Sequence, residues 1–95
     1  KEKNMTRTEF FLDVLKPHNP GSDLIARTLM QMEGVDVVRI NVDELDQRTA
    51  SLHIKVGGYN LDLETITKKL EELNCALHSV DEVFYQRDFE EYEED

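Results

Sequence analysis

A two-layer α+β domain, with two helices covering one face of a four-stranded antiparallel sheet, is the fold this sequence predicts. Three observations predict it. Three segments alternate apolar and polar residues at the two-residue period of strands, a fourth of less regular pattern closes the series, and two others repeat apolar residues at helical spacing. The segments follow the order strand, helix, strand, strand, helix, strand. The chain has 95 residues, 39% of them hydrophobic, which suits one domain with a thin core. Right-handed crossovers then place the first and third strands in the centre of the sheet and the second and fourth at its edges.

The first strand is predicted over residues 8–16, after a loose polar segment at 1–7, and Pro17 ends it. Phe10, Leu12 and Val14 share one face and are expected in the core, while Phe11, Asp13 and Leu15 share the other. Asn19 before Pro20 reads as a cap with a first-turn proline. Leu24, Ile25, Thr28, Leu29 and Met32 then follow at helical spacing, and Glu33-Gly34 supplies the stop, since glycine accepts the left-handed conformation after a helix. Residues 35–46 and 49–56 read as a hairpin around Gln47-Arg48, with Val38, Ile40, Val42, Leu52, Ile54 and Val56 on its dry face. Gly57-Gly58 reads as a break in the run. Asp62 can cap a second helix, with Leu61 and Ile66 at the separation of a hydrophobic staple and Leu63, Ile66, Leu70 and Leu73 as the buried stripe. Asn74 is a candidate left-handed terminator, and residues 75–85 form the fourth strand.

Residues 86–95 read as an acidic tail, with six acids around Phe89 and Tyr92. Its composition predicts a solvated terminus. Its sharper reading is a docking peptide for a neighbouring subunit or a basic protein, with Phe89 and Tyr92 on one face of a helical turn.

Twenty-one acids against 11 bases give a formal net charge of -10, which argues against nucleic acid or an anionic membrane as partner. RNA-recognition domains of this topology also need stacking aromatics on the central strands, where the third strand offers Ser51, His53 and Lys55. The single Cys75 cannot close an internal disulfide. With no apolar run near the ~20 residues of a membrane span and no signal-peptide pattern, a cytoplasmic location is the expectation.

The helix-free face should show Phe11, Asp13, Leu15, Arg39, Asn41, Asp43, Leu45, Ser51, His53 and Lys55. Leu77, Ser79, Asp81 and Val83 should join them if Val80 points inward. Such a face is half apolar and half charged. It suits burial against other subunits, so a homo-oligomer is expected.

The phrase from Leu12-Asp13-Val14-Leu15-Lys16-Pro17-His18 to Asn19-Pro20 and its late counterpart His78-Ser79-Val80-Asp81-Glu82-Val83 carry a resemblance. So do Leu29 through Glu33-Gly34-Val35, Asp43-Glu44-Leu45-Asp46 and Leu61-Asp62. Over these residues the chain resembles the archaeal proteins grouped as domain of unknown function 211. The resemblance implies a small ferredoxin-like βαββαβ sandwich that assembles into ring-like oligomers, with divalent cations such as calcium as candidate ligands and no established activity. Residues 1–7 and 86–95 lie outside it.

Each of the two phrases sets an acid inside an apolar strand, where an unpaired carboxylate is costly. A hard cation is one remedy, since calcium takes several carboxylate, carbonyl and water oxygens. Asp13 and Asp81, on neighbouring first and last strands, are the leading metal candidates. Asp43, on the second strand, would help from an adjacent subunit. The structural alternative pairs these acids with Arg39, Lys55 or backbone donors. No twelve-residue calcium loop is present. His18, His53 and His78 lack the spacing that marks a transition-metal site. Asp43-Glu44 and Asp81-Glu82 would need a bulge for both acids to face one ion. Gly57-Gly58 lacks the spacing of a phosphate loop, and no cleft accompanies the acid pairs, so the chain is not expected to be an enzyme. The expected function is an oligomeric scaffold or regulatory protein that binds divalent cations. The alternative is an ACT-like module that senses a small molecule at a subunit interface, on architectural grounds alone.

Overall fold

The computed structural model describes residues 2–91, with side chains described at 5–43 and 45–88. Its elements are β1 (Glu2–Pro17), α1 (Ser22–Met30), β2 (Val35–Glu44), β3 (Thr49–Tyr59), α2 (Leu63–Glu72) and β4 (Ala76–Glu91). The strands form one antiparallel sheet in the order β2-β3-β1-β4, as the crossover rule requires. This is the ferredoxin-like arrangement. None of the described helices is long and apolar enough to cross a membrane.

The core forms where apolar faces of different period meet. Phe10, Leu12 and Val14 of β1 and Leu52, Ile54 and Val56 of β3 lie against Ile25 and Leu29 of α1 and Ile66 and Leu70 of α2, all buried. Val38 and Ile40 of the edge strand β2 pack against this cluster, while Val42 is exposed. Leu61 and Ile66 both join the core, as a staple should. The Asp62 carboxylate accepts from Thr65 N at 3.1 Å and from Thr65 Oγ1 at 2.7 Å, so the predicted cap forms. Asn74, at a φ of 65°, ends α2 as predicted, whereas α1 already ends at Met30 with Gln31 as its cap, and Gly34, at a φ of 88°, lies in the turn that leads to β2. The N-cap of α1 is Gly21 rather than Asn19, and no side chain caps it.

Three further expectations change. Residues 2–7 and 86–91 are paired strand: Glu2 to Arg7 lie in register with Glu91 to Gln86. Phe89 therefore sits in a strand and not on a helical turn, and Tyr92 lies outside the described residues. Gly57 and Gly58 do not break β3 but lie within it, opposite Glu9 and Thr8 of β1. A Cβ on Gly57 would stand 2.7 Å from Val37 Cγ1 and 2.9 Å from Arg7 Nη2. The glycine leaves room for Arg7, whose guanidinium reaches Asp36 with bonds of 2.8 and 3.0 Å, contacts Glu9 at 3.3 Å and lies 5.4 Å from the Tyr59 ring centre. One side chain thereby ties β1 to β2 and β3, and the hydrogen bond to Asp36 raises its already high pKa.

The third change concerns β4. Its register against β1 slips between Phe11 and Leu12 and again between Asp13 and Val14, which leaves Asp81 and His78 as extra residues. Directly paired residues share a face. Val83, Val80 and Leu77, opposite Phe10, Leu12 and Val14, therefore belong to the helix side, and Leu77 packs on the core. Ser79 and Glu82, opposite Asp13 and Phe11, belong to the open face. The expectation that Leu77 and Val83 lie on the open face fails because strict alternation does not survive a bulge.

Cys75 is buried, and its thiol donates weakly to Leu73 O at 3.6 Å. Burial pushes its pKa above the ordinary 9.0, with the nearby Lys16 ammonium opposing. The folded state thus holds this proton more tightly than the unfolded one. Its contribution to stability is whole below about pH 9.0 and is lost as pH rises through the folded value. Iodoacetamide at about pH 9 should label Cys75 at least ~10-fold more slowly in native buffer than in denaturant. Equal rates would show an open thiol.

Candidate metal centre on the open sheet face

The open face is built from the strand residues that alternate with the core. Across its middle, Asn41, His53, Asp13 and Ser79 line up in one register row from β2 to β4. The next row runs Arg39, Lys55, Phe11 and Glu82. Asp81, the bulge residue, falls between the two rows. The bulge carries its carboxylate onto the open face beside that of Asp13, where plain alternation from Glu82 would have sent it to the helix side.

Ligand atoms of Asp13, His53 and Asp81 lie within 4.8 Å of one another. Bonds of ~2.0–2.2 Å to a zinc-sized ion hold tetrahedral ligand atoms roughly 3.5 Å apart, so modest side-chain rotations close the set. Asp13 is half-buried and the other two are exposed. A serine hydroxyl orients each acid: Ser51 Oγ donates to Asp13 Oδ1 at 2.8 Å, and Ser79 Oγ donates to Asp81 Oδ1 at 2.8 Å. The second carboxylate oxygen of each has no side-chain partner among the described residues. Holding one oxygen while leaving the other free is what a ligand's supporting hydrogen bond does.

The pairing alternative is not what these residues do. Among the described residues, Asp13 and Asp81 form no ion pair, and Arg39 forms none either. Lys55 reaches Glu9 at 3.8 Å and stands 5.8 Å from the Phe11 ring centre. Asp43 is in register with Ser51, one row away from His53 and at the edge strand, and it is not part of the converging group. His18 and His78 are not part of it either. Sequence reasoning weighed His53 and set it aside, because ligands on neighbouring strands have no characteristic spacing in the chain. The usable signal was register: matching the apolar residues Leu12 and Ile54 places Asp13 opposite His53.

A cleft of about 380 Å³ adjoins the group, walled by Phe11, Arg39, Asn41, His53, Lys55 and Asp81. Two acids and an imidazole therefore share the cleft with Arg39, which has no ion pair among the described residues, and with Lys55, which is paired to Glu9 at 3.8 Å.

Comparison with known proteins places the chain in an uncharacterised group. The chain is 39% identical over 72 residues to the uncharacterised protein MJ0319 of Methanocaldococcus jannaschii, covering 76% of this chain and 74% of that one. A solved structure, the apo C-terminal domain LarC2 of a cyclometallase involved in synthesis of the NPN cofactor of lactate racemase, matches with 16% identity and a TM-score of 0.45. That match covers 96% of this chain and 58% of the other, so the chain spans little more than half the length of that structure. The profile of the family DUF211, described as uncharacterised ArCR, matches residues 8–94. Most of the acidic segment expected to lie outside the resemblance is therefore inside it. With that match and the archaeal relative, the chain belongs to the DUF211 family.

Proposed function

We propose that this protein is an oligomeric scaffold or regulatory protein that binds a divalent cation through Asp13, His53 and Asp81. The convergence of three ligand atoms within 4.8 Å on a solvent-facing sheet carries the reading. The imidazole moves the expected ion away from calcium, which takes oxygen ligands, toward zinc and its neighbours, which accept nitrogen and oxygen together. Three side chains leave at least one position of a four-coordinate ion open. Asp43 of a second copy is the candidate to fill it, which would couple cation binding to assembly. Self-association is supported by apolar surface with no cover of its own, including Leu15, Val42, Leu45, Val83 and Phe84. A binding role is preferred over catalysis because His53 and Asp81 are exposed to water, which weakens electrostatic stabilisation of a transition state. The cleft beside the group favours the second reading, a small-molecule-sensing module.

Calorimetric titration with zinc and with calcium, read beside light scattering, tests this. Zinc is expected to bind at least ~10-fold more tightly than calcium. Asp13→Asn and His53→Ala should each lower zinc affinity by a factor of about 10 or more, a loss of ~1.4 kcal/mol. Equal weak binding of both ions to parent and variants would mean that acidic surface merely condenses cations. A strict monomer with and without zinc would sink the oligomer.

A further inference from the structure

We propose that the cleft beside the metal group binds a small dianionic oxyanion, a phosphate-type or dicarboxylate ligand, held jointly by the bound cation and by Arg39 and Lys55. This deepens the proposed function and rests on its metal reading.

Charge and register carry the argument. Arg39 and Lys55 are direct partners across β2 and β3, in the row beside the one that holds His53 and Asp13, so both bases belong to the open face. Neither is consumed by the metal-binding acids. Arg39 has no ion pair among the described residues, and the acid nearest Lys55 is Glu9, at 3.8 Å. A divalent cation neutralises the two carboxylates of Asp13 and Asp81. Arg39 is then left as unpaired positive charge among the described residues, and Lys55 as a base shared with Glu9 at 3.8 Å, around a cleft of about 380 Å³ in a protein whose net charge is -10. That volume falls within the range of small-molecule sites.

The ligand's features follow from the walls. A zinc-type ion can expand to five-coordination, which leaves a position for an oxygen of the ligand beside the one that Asp43 of a second copy would fill. The guanidinium of Arg39 is a fork suited to two oxygens of a phosphate or carboxylate, and Lys55 adds a point charge. Asn41 can donate or accept at the same rim, and the Phe11 ring supplies an apolar wall for a short carbon skeleton. Two bases next to a cation also repel it, so metal and oxyanion each relieve a repulsion felt by the other. Their binding should be positively coupled, and by linkage each must raise the affinity of the other by the same factor.

The experiment is a zinc titration by calorimetry in plain buffer, with methylphosphonate and with succinate, on the parent and on the double variant Arg39→Gln/Lys55→Gln. In the parent, at least one of the two anions should raise zinc affinity by about fivefold or more. Titrating that anion with and without zinc should return the same factor. Phosphonate alone would identify a phosphate-type ligand, and succinate alone a dicarboxylate. The double variant, with an unchanged melting curve as its control for folding, should bind zinc in plain buffer at least as tightly as the parent, while its coupling factor falls to about one. Zinc binding in the parent without coupling to either anion, or coupling that survives in the double variant, overturns this inference and leaves the metal site standing. No zinc binding under any condition overturns the metal site and this inference with it.

Discussion

Replacement of Gly58 by alanine is expected to destabilise the fold by about 3 kcal/mol or more, beyond what most surface substitutions cost. Gly58 lies where β3 meets the start of β2, in register with Val35, and Tyr59 N donates to Gly34 O at 2.9 Å just beyond it. A Cβ at Gly58 would strike the Gly34 carbonyl oxygen, and would stand 2.8 Å from its carbon and 2.9 Å from Val35 Cα. All three obstacles are backbone. None can swing away as a side chain could, and Gly34 is itself committed to a φ of +88° in the turn between α1 and β2. Relief requires parting β2 from β3, with loss of ladder bonds. Gly21, where a Cβ would meet nothing within 4 Å, is the control, and Gly21→Ala should change stability by less than about 0.5 kcal/mol. Urea denaturation of both variants gives the comparison. Similar midpoints would show that the approach of Gly34 to Gly58 is not tight.

Phe10→Ala should cost about 3–5 kcal/mol, the range for removing a wholly buried aromatic side chain. Phe10 is fully buried at the centre of the sheet and meets Tyr85 edge-on, with ring centres 6.0 Å apart at 88°. The substitution removes apolar contact with both layers and leaves a cavity that the central strand cannot close by moving. Phe84→Ala should cost under about 1 kcal/mol, because Phe84 stands opposite Glu9 on the open face of an edge strand, 37% exposed. The pair tests the register of β4. Equal losses would mean that Phe84 is buried and that the strand is placed with the wrong face inward. In an assembly, a loss at Phe84 that grows with protein concentration would instead mark it as an interface residue.

The core strands were legible because each is driven by one alternating run. Phe10, Leu12 and Val14, and likewise Leu52, Ile54 and Val56, alternate without interruption, and a slip of one residue would turn all of them to water. Both helices were legible for the same reason at a different period, along with the Asp62 cap and the Asn74 stop. The edge strand β4 was not. Its run Leu77 to Tyr85 mixes apolar residues on both faces, so no single phase is favoured, and two bulges reset the alternation. The end segments were misread because polar composition was taken as solvation. Residues 2–7 and 86–91 instead satisfy their backbone groups on each other, a pairing that composition does not report.

Of the metal candidates, Asp13 and Asp81 were visible as acids in apolar runs, whereas His53 was passed over and Asp43 was placed correctly on the open face but away from the converging group. By itself the sequence determined the element order, the strand order that handedness allows, the dry-face residues of β1 and β3 and the presence of charge on the wet face. Those are local or topological consequences of period and chirality. Only the tertiary structure decided which charges meet. Asp13 is brought to His53 by the pairing of β1 with β3, and to Asp81 by a single extra residue in β4, separations of 40 and 68 positions along the chain. Register across strands is set by the packing of the whole apolar face, so no spacing within any one segment records it.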